Sequence, residues 1–268
     1  MKNKNIFIAI SLFVLALDLG FTLDFNKTFS SLIGTVTITK ESTINFDLQS
    51  PQMKFTKEFT TQDINGLTYI YFDEGKWLCL FSDEIIVLYN SEGWPFFSGI
   101  NGSSKLRNNF GSGLNNRVSS FLTEGNVEYR VENLNKLTTF SPWVEGVSGN
   151  GISEWIEVNY YKDSSLGNLS GLIFYNGFVS YEKPYLYSKN NRVRSFEVYD
   201  SENNYMMDIV LDDTPNPQFK KLMYPSNTVT LKIKSIYPGS EWDDTCLNVI
   251  SCVPESMVYF FMEEEIAK

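Results

Sequence analysis

Apolar and polar positions alternate along most of this chain in the manner of β-strands. Thr35-Val36-Thr37-Ile38-Thr39 and Ile44-Asn45-Phe46-Asp47-Leu48 repeat with a period of two, the spacing of a half-buried strand. Leu67–Phe72, Trp77–Phe81 and Glu84–Tyr89 are short β-branched or aromatic runs. Asp73-Glu74-Gly75-Lys76 and Ser82-Asp83 between them are turn chemistry. The spacing predicts a small meander, with Trp77–Phe81 and Ile85–Tyr89 as a hairpin. Further along, the signal recurs in Glu154–Tyr160, Leu169–Tyr175, Arg192–Tyr199, Tyr205–Leu211, Thr228–Ile236 and Leu247–Val253. Turns containing Gly, Asn and Pro separate most of these runs, and no helical pattern lies between them. A sandwich or jelly roll is therefore expected rather than βαβ units.

Residues 90–118 read as a long loop or linker, because Asn101-Gly102-Ser103-Ser104 and Asn108-Asn109-Phe110-Gly111-Ser112-Gly113 are flexible-connection chemistry. The expected organisation is a β-rich N-terminal region with its linker (21–110), a sandwich (111–255) and an acidic tail (256–268). Residues 1–20 have a basic start, Lys2 and Lys4, and a twelve-residue apolar run from Ile6 to Leu17. A bilayer-spanning helix needs about 20 apolar residues, so the run fits an export signal better than an anchor. Export to the periplasm, cell surface or medium is the expectation.

The stretch from Pro142 to Val158 organises the sandwich. Gly146, Gly149 and Gly151 fall within six residues, and alternation then begins at Ile152. A loop that turns back tightly and feeds a strand is expected. Trp143-Val144-Glu145-Gly146-Val147, Gly149 to Ile152 and Glu154-Trp155-Ile156 are followed by three further pieces in order. These are Phe174-Tyr175-Asn176-Gly177-Phe178, Asn191-Arg192-Val193-Arg194, and Ile236-Tyr237-Pro238-Gly239-Ser240-Glu241-Trp242-Asp243-Asp244-Thr245-Cys246. Together they resemble the discoidin-like (F5/8 type C-like) translocation or glycan-binding domain that accompanies bacterial NAD glycohydrolases. The resemblance covers roughly residues 111 to 253. It implies an all-β, galactose-binding-like sandwich and a glycan ligand. One departure stands out: the family pattern continues from the cysteine to a glutamate, whereas this chain reads Cys246-Leu247-Asn248-Val249.

Charge and composition narrow the function classes. The formal net charge is −10, which provides no long-range attraction for phosphate backbones, so nucleic acid is not an expected partner. The absence of histidine removes every His-containing triad and the commonest zinc sites. No cofactor or metal is expected. Asp243-Asp244 and Asp212-Asp213 supply oxygens suited to calcium, but without EF-hand spacing. Glu145 and Glu154 could form a hydrolytic pair if suitably separated, yet 32 acidic residues make such a pair expected by chance. Cys246 and Cys252 would be about 20 Å apart in one extended strand, too far for a disulfide, so free buried thiols are expected.

A non-catalytic binding protein results, with a glycan or an envelope or surface protein as partner, and membrane contact only through the export signal. The alternative is an envelope structural or assembly protein that binds another protein through the sandwich loops. The candidate ligand residues are Trp143, Glu145, Tyr175, Asn176, Arg192, Tyr237 and Trp242. Trp155, inside a strand, is read as a packing residue.

Overall fold

The structure, a computed structural model, describes residues 26–101, 115–160 and 166–262. The expected export signal 1–20, the Gly/Ser/Asn-rich stretch 102–114 and the acidic residues 263–268 lie outside the described residues. The first half is a nine-stranded sheet. Its strands are β1 (Lys27–Ser31), β2 (Gly34–Ile38), β3 (Thr43–Gln49), β4 (Gln52–Glu58), β5 (Thr60–Ile64), β6 (Leu67–Phe72), β7 (Gly75–Phe81), β8 (Ile85–Tyr89) and β9 (Pro95–Asn101). The spatial order is β4-β3-β2-β1-β9-β8-β7-β6-β5. Phe59 alone joins β4 to β5, the two ends of that order, so the sheet must curl until its edges approach. Aromatic side chains fill the curl. Phe46 lies 4.7 Å from Phe55 and 5.9 Å from Phe72, and Phe72 stacks on Trp77 at 5.4 Å.

The second half contains β10 (Arg117–Val118), β11 (Thr123–Glu124), β12 (Val127–Glu128), β13 (Trp143–Val144), β14 (Trp155–Asn159), β15 (Leu169–Asn176), β16 (Asn191–Tyr199), β17 (Tyr205–Val210), β18 (Gln218–Ser226), β19 (Thr228–Tyr237) and β20 (Thr245–Pro254). A short helix, α1 (Tyr185–Lys189), precedes β16, and α2 (Glu255–Val258) follows β20. One layer contains β10, β14, β19, β16 and β17, the other β13, β20, β15 and β18. The layers meet where β16 and β20 run parallel, Asn191 opposite Thr245 and Arg192 opposite Cys246. Ile156, Val158, Leu172, Phe174, Phe196, Leu231 and Ile250 form part of the core between them.

β15 and β20 are buried along their whole length, and the reason is visible in their alternation. Leu172 and Phe174 face the sandwich core, whereas Ile173 and Tyr175 face the first sheet. Ile250 and Cys252 likewise face inward, and Val249 and Val253 outward. Tyr69, Leu78, Leu80, Val87 and Tyr89 of the first sheet cover that outer face. Strands covered on both sides read as almost continuous apolar runs, as these do. The two halves therefore share a core, sealed at one edge by Tyr69 Oη donating to the Tyr181 carbonyl at 2.9 Å and Tyr181 Oη to the Lys76 carbonyl at 2.8 Å.

Several expectations need correction. Residues 95–101 are not loop but β9, between β1 and β8. The N-terminal sheet is larger than a small meander. Trp155 is half-buried and points away from the core occupied by Ile156 and Val158. The first residues of the tail pack in part on the fold, although Ser256 and Tyr259 stay exposed. Val258 is buried, and Phe261 stacks on Phe219 at 4.5 Å. The expectation for the cysteines holds: Cys246 and Cys252 lie in the same strand as buried free thiols.

Candidate functional site

The glycine-rich stretch folds as a clasp around a buried carboxylate. Trp143 and Val144 pair with Leu247 and Cys246 of β20, and the chain then turns through Gly149 and Gly151 at φ +110° and +66°. The Glu145 side chain is fully buried. Its carboxylate accepts from the Val147 N–H at 2.8 Å and faces the Thr245 N–H at 3.4 Å. Burial pushes its pKa up to about 7, and Asp244 and Glu154 add to the rise against the two backbone donors. Thr245 Oγ1 closes the clasp by donating to the Asn150 carbonyl at 2.8 Å. Glu154 stands apart, accepting from Ser119 Oγ at 2.6 Å and from Ser120 Oγ.

Six of the seven sequence-based ligand candidates are committed to contacts inside the protein, five of them buried. Trp143 is fully buried, with Nε1 donating to the Ser120 carbonyl at 3.0 Å. Glu145 holds the clasp. Tyr175 lies in the core between the halves, where burial pushes its phenol pKa up. Asn176 joins two strands. Its Nδ2 donates to the Val193 carbonyl at 2.7 Å, and its Oδ1 accepts from the N–H groups of Val193 and Gly177. Arg192 is 8 % exposed and bidentate to Asp213 at 2.9 and 2.7 Å, with Nη1 donating to the carbonyls of Asn190 and Pro238. Tyr237 is partly buried, donating from Oη to the Leu211 carbonyl at 3.0 Å. Of the acidic pairs read as possible calcium ligands, Asp213 is thus committed to Arg192.

Trp242 is different. It lines a cleft of about 540 Å³ at the junction of the halves, within the usual range of small-molecule sites, about 300–1,000 Å³. Four segments converge there: the β8–β9 turn, the loops around β11–β13, the segment leading into α1, and the loop before β20. They contribute six rings, Tyr129, Phe140, Phe178, Tyr181, Tyr185 and Trp242. Tyr129 and Phe178 meet edge-on at 6.0 Å. Lys189 Nζ stands 5.1 Å from the Trp242 ring and 5.2 Å from that of Tyr185, and its 2.5 Å ion pair with Glu241 fixes it there.

The cleft is acidic. Glu92, Glu124, Glu182 and Asp244 line it beside a single basic residue, Lys183. Partial burial raises the pKa of Asp244, with Glu124 and Asp243 adding to the effect. Burial also raises that of the Tyr129 phenol, assisted by Glu124. Carboxylates beside phenols and flat aromatic faces can accept hydrogen bonds from hydroxyl groups and cover apolar C–H surfaces. Sequence reasoning found Trp242 but not the other rings. The cleft joins residues from Glu92 to Asp244, and no local motif records that junction.

Residues 111–253 match the family described as NAD glycohydrolase translocation F5/8 type C domain. No curated protein matches the chain. Among solved structures, similarity extends to the family 32 carbohydrate-binding module from C. perfringens NanJ in complex with galactose. The identity is 10 % and the TM-score 0.38, covering 52 % of this chain and 92 % of that one. The family 32 carbohydrate-binding module of Streptococcus pneumoniae EndoD is 11 % identical with a TM-score of 0.37, over 53 % and 97 % of the two chains. A two-domain protein of unknown function from Bacteroides fragilis is 10 % identical with a TM-score of 0.36, over 85 % of this chain and 70 % of that one.

Proposed function

Because the chain belongs to the NAD glycohydrolase translocation F5/8 type C domain family, we propose that it works by binding rather than catalysis, with a neutral glycan held in the cleft. Its sandwich is a discoidin-like domain, and the ligand assignment rests on the lining of the cleft. Six aromatic rings and four carboxylates share about 540 Å³ with one lysine. A sugar offers apolar C–H faces to the rings and hydroxyl donors to the carboxylates. An anionic ligand would meet like charge in a partly desolvated site, where repulsion is poorly screened. A neutral sugar avoids that cost.

A glycan array followed by titration calorimetry tests the assignment. Trp242→Ala should weaken binding of the captured neutral glycan about tenfold with little change in melting temperature, since truncating one ring contact costs on the order of 1–2 kcal/mol. Capture of acidic glycans alone, or unchanged affinity in the variant, would remove the cleft from the account. The purified protein should also leave NAD and glycosidic bonds intact, as measured by nicotinamide release and by the appearance of reducing ends. Glu145 and Glu154 are both committed to internal hydrogen bonds, and the chain has no histidine.

The proposed setting is outside the cytoplasm, supported by the basic start and the apolar run at residues 6–17. N-terminal sequencing of the mature protein should begin between about residues 18 and 25. Recovery of intact Met1 from an envelope fraction would favour an anchor.

A further inference from the structure

The rim of the cleft contains an aromatic pair that joins Trp94, outside the matched family segment, to Phe140 within it. Trp94 is 53 % exposed and Phe140 48 %. Their rings meet at 4.8 Å and 75°, forming an open corner. Phe140 also lines the cleft, as does Gly93, the neighbour of Trp94. The corner is continuous with the cleft wall.

Its backbone is held on both sides. Asn90 Oδ1 accepts from the N–H groups of Glu92 and Trp94 at 3.1 and 3.0 Å, and Asn90 N donates to the Trp94 carbonyl at 3.0 Å. The Gly93 carbonyl accepts from Thr139 N at 3.3 Å and Thr139 Oγ1 at 3.2 Å. Gly93 sits at φ +75°, and a Cβ there would stand 2.3 Å from Thr139 Oγ1. Only glycine lets the turn lie this close to the sandwich. A large ring left in solvent on a backbone so firmly docked is a pre-organised contact surface, which lowers the ordering cost of binding.

We propose that the site binds an extended glycan of at least two sugar units, the inner unit in the cleft and the outer on the Trp94–Phe140 corner. This rests on the neutral-glycan assignment of the cleft. It makes the N-terminal sheet part of the binding site, since β8 and β9 present Trp94. The perpendicular rings offer one face each to an emerging chain, and the acidic cleft mouth again favours uncharged units.

The test is titration calorimetry of the full chain against three homologous series. These run from glucose to cellotetraose, from N-acetylglucosamine to chitotetraose, and from galactose through lactose to lacto-N-neotetraose. In the series that binds, Kd should fall about tenfold from monosaccharide to tetrasaccharide. In Trp94→Ala that ratio should collapse to about twofold, and in Trp94→Phe most of it should return. Matching thermal melts would establish that both variants fold. A ratio near one in the wild type, or a full ratio in Trp94→Ala, overturns the outer subsite while leaving the cleft assignment standing. Failure of the wild type to bind any member of the three series overturns both.

Discussion

Replacing Gly146 by alanine should destabilise the protein by about 3 kcal/mol or more, a drop in melting temperature of about 10 °C for a chain of this size. A Cβ at this position would stand 2.3 Å from the Phe121 carbonyl oxygen and 2.6 Å from its carbon. Both obstacles are backbone, so neither can swing aside. The control is Gly149→Ala, three residues on. Gly149 has φ +110°, but no atom lies within 4 Å of its would-be Cβ. That change costs only the conformational strain, about 1–2 kcal/mol. Paired thermal or urea melts decide the matter. If Gly149→Ala proves the costlier change, backbone conformation and not close approach makes this loop require glycine.

The second large effect should appear as pH dependence. The Glu145 carboxyl titrates at about 7 in the folded protein, against 4.5 for an unburied glutamate. The folded state therefore holds the proton more tightly than the unfolded chain. The stabilisation from this group is fully present below pH 4.5 and is lost as pH rises towards 7. At about 1.4 kcal/mol per pH unit, the loss amounts to about 3 kcal/mol. Glu145→Gln keeps the shape and removes the charge. The stability difference between wild type and variant, from urea melts, should thus move by about 3 kcal/mol between pH 4.5 and pH 8, in favour of the variant at the higher pH. Parallel stability curves would mean that water reaches the carboxylate.

Strands covered by other elements were legible in the sequence, because burial leaves an apolar record. β2 and β3 showed it as a period of two, and β6, β7 and β8, which contribute to the cores on both sides, showed it as β-branched or aromatic runs. β4 and β5 lie at the sheet edges and are partly or fully exposed along their length, so their sequences, Gln-Met-Lys-Phe-Thr-Lys-Glu and Thr-Thr-Gln-Asp-Ile, carry little apolar signal. β9 was concealed by Pro95 and Gly99. Gly99 is required there because a Cβ would lie 2.6 Å from the Phe97 ring and 3.0 Å from Phe29 Cβ. β18, with Lys220, Lys221 and Pro225, is another edge. The recognisable motifs led to Glu145, Asn176 and Arg192, whose hydrogen bonds hold the sandwich together. The cleft depends on distant loops and left one legible trace, Trp242.

The shared core bears on how portable the sandwich is. A domain that moves between proteins as a self-contained cassette needs a back that tolerates water. Here the back of β15 and β20 is Ile173, Tyr175, Val249 and Val253, joined by Phe219 of β18. Excised at the linker, the cassette would carry that greasy panel into solvent and would be prone to self-association. Transplanting it would first require polar side chains at those five positions.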